Sequence, residues 1–156
     1  MVDMTALTQV DTSEAKAPPE LPEGIYPSCT ITGWKVGPNR WDDNLGTITI
    51  EARPNTFPNG ESAGFDVTKR KLFKEFHVDP SKVDTYFYLN MFVDSCGVSR
   101  VGKRPGEYLP ECIGNEVALA LSRRSYKAKD GSNTTKEATD VRMVIDGKVI
   151  TERRAD

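Results

Sequence analysis

Alternation of polar and apolar residues in steps of two constrains this chain more than any other feature. In "LGTITIEAR" Ile48, Ile50 and Ala52 alternate with Thr47, Thr49 and Glu51, and in "EVALALS" Val117, Leu119 and Leu121 alternate with Ala118, Ala120 and Ser122. Successive side chains of a strand point to opposite faces, so such runs bury one face and leave the other free for solvent or a ligand. Sheets of that one-sided kind are antiparallel, because parallel sheets are covered on both faces and read as continuous apolar runs. The stretch "SCTITGWKV" alternates too, with Cys29, Ile31 and Gly33 on one side and Thr30, Thr32 and Trp34 on the other. By this pattern Trp34 is expected to point away from the core.

The remaining elements are set by period and punctuation. "VTKRKLFKEFHV", residues 67–78, reads as a third strand by its aromatics and β-branched ends, with a helix as the competing reading because Lys, Arg, Leu and Glu favour helices. Alternation sends Lys69, Lys71 and Phe73 one way and Arg70, Leu72, Lys74 and Phe76 the other, leaving open which phenylalanine is core. The period then changes: Tyr86, Leu89, Val93 and Cys96 fall at helical spacing, with Gly97 as a C-cap, predicting a helix over about Lys82 to Cys96. A Gly- and Pro-rich loop leads to the fourth strand, and Asp130-Gly131 supplies a tight turn into "TKEATDVRMVI", residues 135–145. A second Asp-Gly pair, Asp146-Gly147, precedes a short added strand. The succession of three strands, a helix and two strands predicts a mainly β fold, a five-stranded OB-fold-like barrel with its helix between strands 3 and 4.

Length and charge divide the chain. Its 156 residues suit one domain able to bury a core. The formal net charge of -2 hides an asymmetry: Asp3, Asp11, Glu14, Glu20 and Glu23 face only Lys16 in the first 24 residues, so the rest is mildly basic. Residues 1–23 are expected to be a flexible acidic arm, 24–150 the barrel and 151–156 a tail. Cys29, Cys96 and Cys112 are odd in number and widely spaced, and His77 is the sole histidine, so neither a disulfide framework nor a metal site is expected. No signal peptide or bilayer-spanning run is legible, which predicts a cytoplasmic protein with no membrane partner. Without a nucleophile–base constellation or a phosphate-cradling glycine loop, the chain is expected to be a binder rather than an enzyme, with no cofactor.

Three segments carry a further likeness: "LPEGIY" before the first strand, "YLPECIGNEVALAL" leading into the fourth, and "SYKAKDGS" at its end, together spanning Leu21 to Val144. In these the chain resembles small bacteriophage single-stranded-DNA-binding proteins of the OB-fold kind. The resemblance implies sequence-independent binding and protection of single-stranded DNA during replication or recombination, in the host cytoplasm. Many such proteins recruit replication partners through an acidic C-terminal tail. This chain ends "TERRAD", and its acidic arm is N-terminal. Either the arm has taken over the contact with replication or recombination proteins, or the protein works differently from the family it resembles, and a homo-oligomer is compatible with the pattern.

Single strands are bound by cations that track phosphates and by aromatic rings that stack under bases. Three patches supply that mixture: Trp34, Arg40 and Trp41 around the first interstrand loop; Lys69, Lys71, Phe73 and Lys74 in the third strand; and Arg123, Arg124, Tyr126, Lys127 and Lys129 at the end of the fourth. An OB barrel is expected to bring the loops after strands 1 and 4 to one groove, placing the third patch beside Trp41. The competing expectation is a β-barrel that docks on a phage assembly through protein contacts, with the same residues dispersed or buried.

Overall fold

The computed structural model describes residues 2–128 and 134–153. It is a mainly β fold: a six-stranded antiparallel sheet with few helices. The strands are β1 (Gly24–Pro38), β2 (Gly46–Pro54), β3 (Leu72–Val78), β4 (Glu116–Lys127), β5 (Thr135–Ile145) and β6 (Lys148–Val149), arranged β3-β2-β1-β4-β5-β6. The sheet curls into a half-barrel that draws β3 towards β5. Two helices, α1 (Phe87–Ser95) and α2 (Pro105–Cys112), lie in sequence between β3 and β4. Among the described residues no helix is long and apolar enough to cross a membrane.

The apolar half of the alternation in β2 and β4 is realised as read, whereas Thr49, expected to face outward, is buried. Ile48, Ile50, Ala52, Val117, Leu119 and Leu121 are buried in one core, joined by Leu72, Phe76, Leu89, Phe92 and Tyr26. The Phe76 ring meets Phe92 of α1 edge-on at 5.5 Å, so the helix packs on the apolar face of the sheet. Of the two phenylalanines left open by the pattern, Phe76 is core and Phe73 faces outward.

β1 departs from its alternation. Its first half pairs with β4 and its second half with β2, and one strand serving both neighbours must bend. Bends come from β-bulges, where one extra residue reverses the parity of the residues beyond it. One register shift lies between Tyr26 and Cys29 and another between Ile31 and Gly33. After the second, Trp34 pairs with the buried Ile50 and packs, partly buried, against the core. The expectation that Trp34 points away from the core is thus corrected.

Other departures are local. Residues Val67–Lys69 form a short 3-10 turn, so β3 begins at Leu72. The expected long helix is a 3-10 turn, Val83–Tyr86, followed by α1. α2 occupies a stretch whose Pro and Gly content predicts a loop. Pro105, however, occupies the first helical turn, where its missing N–H is no loss, and the Glu107 carboxylate accepts from the Arg104 N–H at 3.4 Å. The Asp146-Gly147 turn appears as expected, both residues at positive φ, and leads into β6. The Asp130-Gly131 turn lies outside the described residues.

Both termini of the barrel are tied in. Leu21 is buried, and the Tyr26 hydroxyl donates to the Pro22 carbonyl at 2.6 Å. At the other end the Ile150 N–H donates to Met143 O at 2.9 Å, and the Arg153 N–H to the Tyr88 hydroxyl at 2.8 Å. Gly24, at φ +140°, lies where an added Cβ would come within 2.9 Å of the Pro58 side chain. Gly24→Ala is expected to lower stability by about 1–3 kcal/mol through strain and overpacking. The check is a lower urea midpoint at unchanged m-value.

Candidate nucleic-acid interface

The outward residues of β1, β2 and β3 line up in three rungs. Gly37, Thr47 and His77 form the first; Lys35, Thr49 and Glu75 the second; Gly33, Glu51 and Phe73 the third. Residues two apart on a strand are about 6.6 Å apart, so the outer rungs are separated by about 13 Å. This is the polar face of β2, wet at its outer rungs and covered at Thr49, which is buried. Gly33 and Gly37 give it a flat floor, since an added Cβ at either would meet nothing within 4 Å.

Two shallow cavities lie along the face and share Lys35 and Thr49. One, of about 190 Å³, is bordered by Trp41, Arg40, Gly37, His77 and Glu75. The other, of about 140 Å³, lies between Phe73, Gly33, Lys35 and Glu51 and also touches Trp34. Trp41 is 71% exposed and Phe73 45%, so each cavity has an aromatic ring open to solvent at its edge.

The loop that carries Trp41 is organised by Asn39. This buried side chain accepts from the Trp41 and Asp42 N–H groups at 2.9 and 3.1 Å, and its amide donates to His77 Nδ1 at 2.7 Å. With Nδ1 accepting, the imidazole proton sits on Nε2, leaving a donor for a ligand. Trp41 packs edge-on to His77 at 5.8 Å, and the Arg40 guanidinium lies 4.8 Å from the Trp41 ring centre. Ring, cation and imidazole are thus held as one group. The sequence marks His77 only as the sole histidine, with no role in binding expected of it, and Asn39 not at all beyond an Asx residue three positions before Asp42.

Charge on the face is mixed. The Lys71 ammonium lies 3.1 Å from Glu51 and, with Thr32 and Lys35, holds that carboxyl below the usual range. Arg40 approaches Glu75 at 4.0 Å, both well exposed. Lys35 makes no ion pair among the described residues. Exposed pairs of this kind are weak, so an incoming phosphate can displace the carboxylates at small cost.

Other expected site residues are placed elsewhere. Lys74 points into the half-barrel, 4% exposed, with its Nζ 2.7 Å from Glu152 and over the Phe76 ring at 4.2 Å. Lys69 ends the 3-10 turn ahead of β3. Arg123 clamps the chain that precedes β1: its guanidinium donates to the Leu21 carbonyl and approaches Glu20 at 3.8 Å, while its N–H donates to the Glu23 carboxylate. Arg124, Tyr126 and Lys127 are on the ribbon that β4 and β5 form beyond the start of β1. There Arg124 pairs with Asp140 at 2.9 Å and lies 5.7 Å from the Tyr126 ring centre. Lys129 lies outside the described residues.

Register separates the ribbon from Trp41. Leu121 pairs with Gly24 at the first position of β1, and Arg124 lies beyond it; Trp41 comes after Pro38 at the last. The two patches therefore sit at opposite ends of β1 rather than side by side. Comparison of the chain with family models, with curated proteins and with solved structures finds no match.

Proposed function

We propose that the outer face of β1, β2 and β3 binds single-stranded DNA without base specificity and protects transient single strands during phage replication or recombination in the host cytoplasm. The observation that carries this reading is the pair of exposed rings, Trp41 and Phe73, on one flat polar face interleaved with Lys35, Arg40 and Lys71. Rings of that kind stack under any base, and the flexible cations can follow a phosphate backbone. The fold reading that goes with it is an OB-type barrel open between β3 and β5, with β6 as an addition. The order β3-β2-β1-β4-β5 and the approach of β3 to β5 support it, and the outer face of the second and third strands is where such barrels bind oligonucleotides. The exposed acidic arm, residues 2–20, is the segment we assign to replication or recombination partners.

The test is a titration of tryptophan fluorescence with oligo-dT against a duplex of the same length. Quenching by the single strand alone is expected. Three cations border the face, so the slope of log affinity on log salt is expected to be no steeper than about -2. A blank titration together with a blank gel shift would overturn the reading in favour of a protein-docking barrel.

A further inference from the structure

We infer that Cys96 and Cys112 form a dithiol site that takes a disulfide-class oxidant and closes an intramolecular disulfide between the ends of α1 and α2. Cys96 is the C-cap of α1 and Cys112 the last residue of α2, and their sulfurs lie 3.6 Å apart. The side chains already converge, so bond formation needs an approach of only about 1.6 Å to reach the usual length near 2.05 Å. Both thiols are buried, but each is flanked by exposed residues, Ser95 and Gly97 around one, Glu111 and Ile113 around the other. Fraying of the last helical turns therefore admits a small reagent.

The two sulfurs have different roles. The hydrogen bond between the two sulfurs lowers the affinity of Cys96 for its proton, while the same bond and burial raise that of Cys112. Cys96 is the attacking sulfur. Its thiolate cleaves the S–S bond of the oxidant, forming a mixed disulfide and releasing one thiolate. Cys112 then gives its proton to that thiolate and attacks Cys96 Sγ, expelling the second. Two cysteine thiols are oxidised, one disulfide is reduced, and the two protons end on the two released thiols. Cys29 supplies an internal contrast: it is buried, its thiol donates to the Tyr26 carbonyl at 3.9 Å, and desolvation pushes its pKa up to about 12.

The bond would also brace the nucleic-acid face. The Asn115 amide donates to the Cys96 carbonyl at 3.0 Å, and residues Gly114 and Asn115 exchange backbone hydrogen bonds with Ile31, next to the bulge that sets Gly33. The helix ends and the floor of the Phe73 cavity are one connected corner.

The experiment is incubation of the full chain with oxidised glutathione, followed by intact mass, thiol counting in denaturant and peptide mapping. The expected result is loss of two hydrogens, one remaining thiol at Cys29, and a Cys96–Cys112 linked peptide that dithiothreitol reverses. The closed loop is close to the ~15-residue case, so Tm is expected to rise by about 5–10 °C on oxidation. The same change is expected in Cys29→Ser and is lost in Cys112→Ser, which takes a single glutathione adduct at Cys96 instead. Three thiols surviving in the wild-type chain, adducts at Cys29, or disulfide-linked dimers would each overturn the proposal. Because the wild-type chain alone decides it, a variant that fails to fold changes nothing.

Discussion

Trp41→Ala and Phe73→Ala are each expected to weaken oligo-dT binding by about 5- to 140-fold, the equivalent of about 1–3 kcal/mol for one stacked base. Both rings are exposed and neither belongs to the buried core, so the folded state loses little. The His77 rung, against which Trp41 packs, and the Phe73 rung are about 13 Å apart along the sheet, and sites that distant add. The double variant is therefore expected to show the product of the single effects. Binding is best read by anisotropy of a labelled oligonucleotide, since Trp41 would otherwise be the reporter. Phe87→Ala is the control: that ring is exposed to a degree between those of Phe73 and Trp41, packs on Tyr88 in α1 and lies outside the three rungs. If Trp41→Ala and Phe73→Ala bind like the wild type while Arg124→Ala or Tyr126→Ala loses affinity, the β4–β5 ribbon is the interface instead.

The second large effect concerns the buried lysine. Removing one partner of a buried ion pair leaves an uncompensated charge, at about 3–5 kcal/mol. Glu152→Ala is expected to approach that cost, because Lys74 is almost fully enclosed and its other hydrogen-bond acceptor among the described residues is the Glu75 carbonyl. Lys74→Met is expected to cost less, since Glu152 is partly exposed and can be hydrated. Chemical denaturation of the three chains measures both.

The pair also has a pH signature. Burial holds the Lys74 ammonium below its ordinary pKa, against the pull of Glu152 and Glu75, with Arg142 adding repulsion. A lysine with a depressed pKa binds fewer protons folded than unfolded just below the unfolded value near 10.4. Its contribution to stability therefore rises as pH climbs through the folded pKa towards that value. Glu152→Ala removes the main group that opposes the depression, so stability in that variant is expected to rise more steeply on the alkaline side. A variant whose alkaline profile runs parallel to the wild type would show that Glu152 does not hold the charge of Lys74.

Much of the architecture was legible in the residues. The outward Thr47, Thr49 and Glu51 and the inward Ile48, Ile50 and Ala52 could be read from β2 because that strand runs without a bulge and buries one face. The same holds for Val117, Leu119 and Leu121 in β4, and for the stripe Leu89, Phe92 and Val93 in α1. Alternation misplaces Trp34 because a bulge leaves no mark in such a pattern. It hides α2 as well, because Pro and Gly outweigh a capping pair when only local propensity is weighed.

By itself the sequence determined a one-sided antiparallel sheet with a helical plug, an acidic exposed arm, and a polar face with Trp41 in the loop at its edge. These rest on period and composition, which act between near neighbours in the chain. The tertiary structure alone decided which charges are free for a ligand. Lys74 is removed from the surface by Glu152 and Arg123 is spent on Leu21 and Glu20, in each case by a partner far along the chain. It also put Arg124 and Trp41 at opposite ends of β1, and Cys96 beside Cys112. Pairing register and long-range contact are set by how the whole core closes, and no local pattern encodes them.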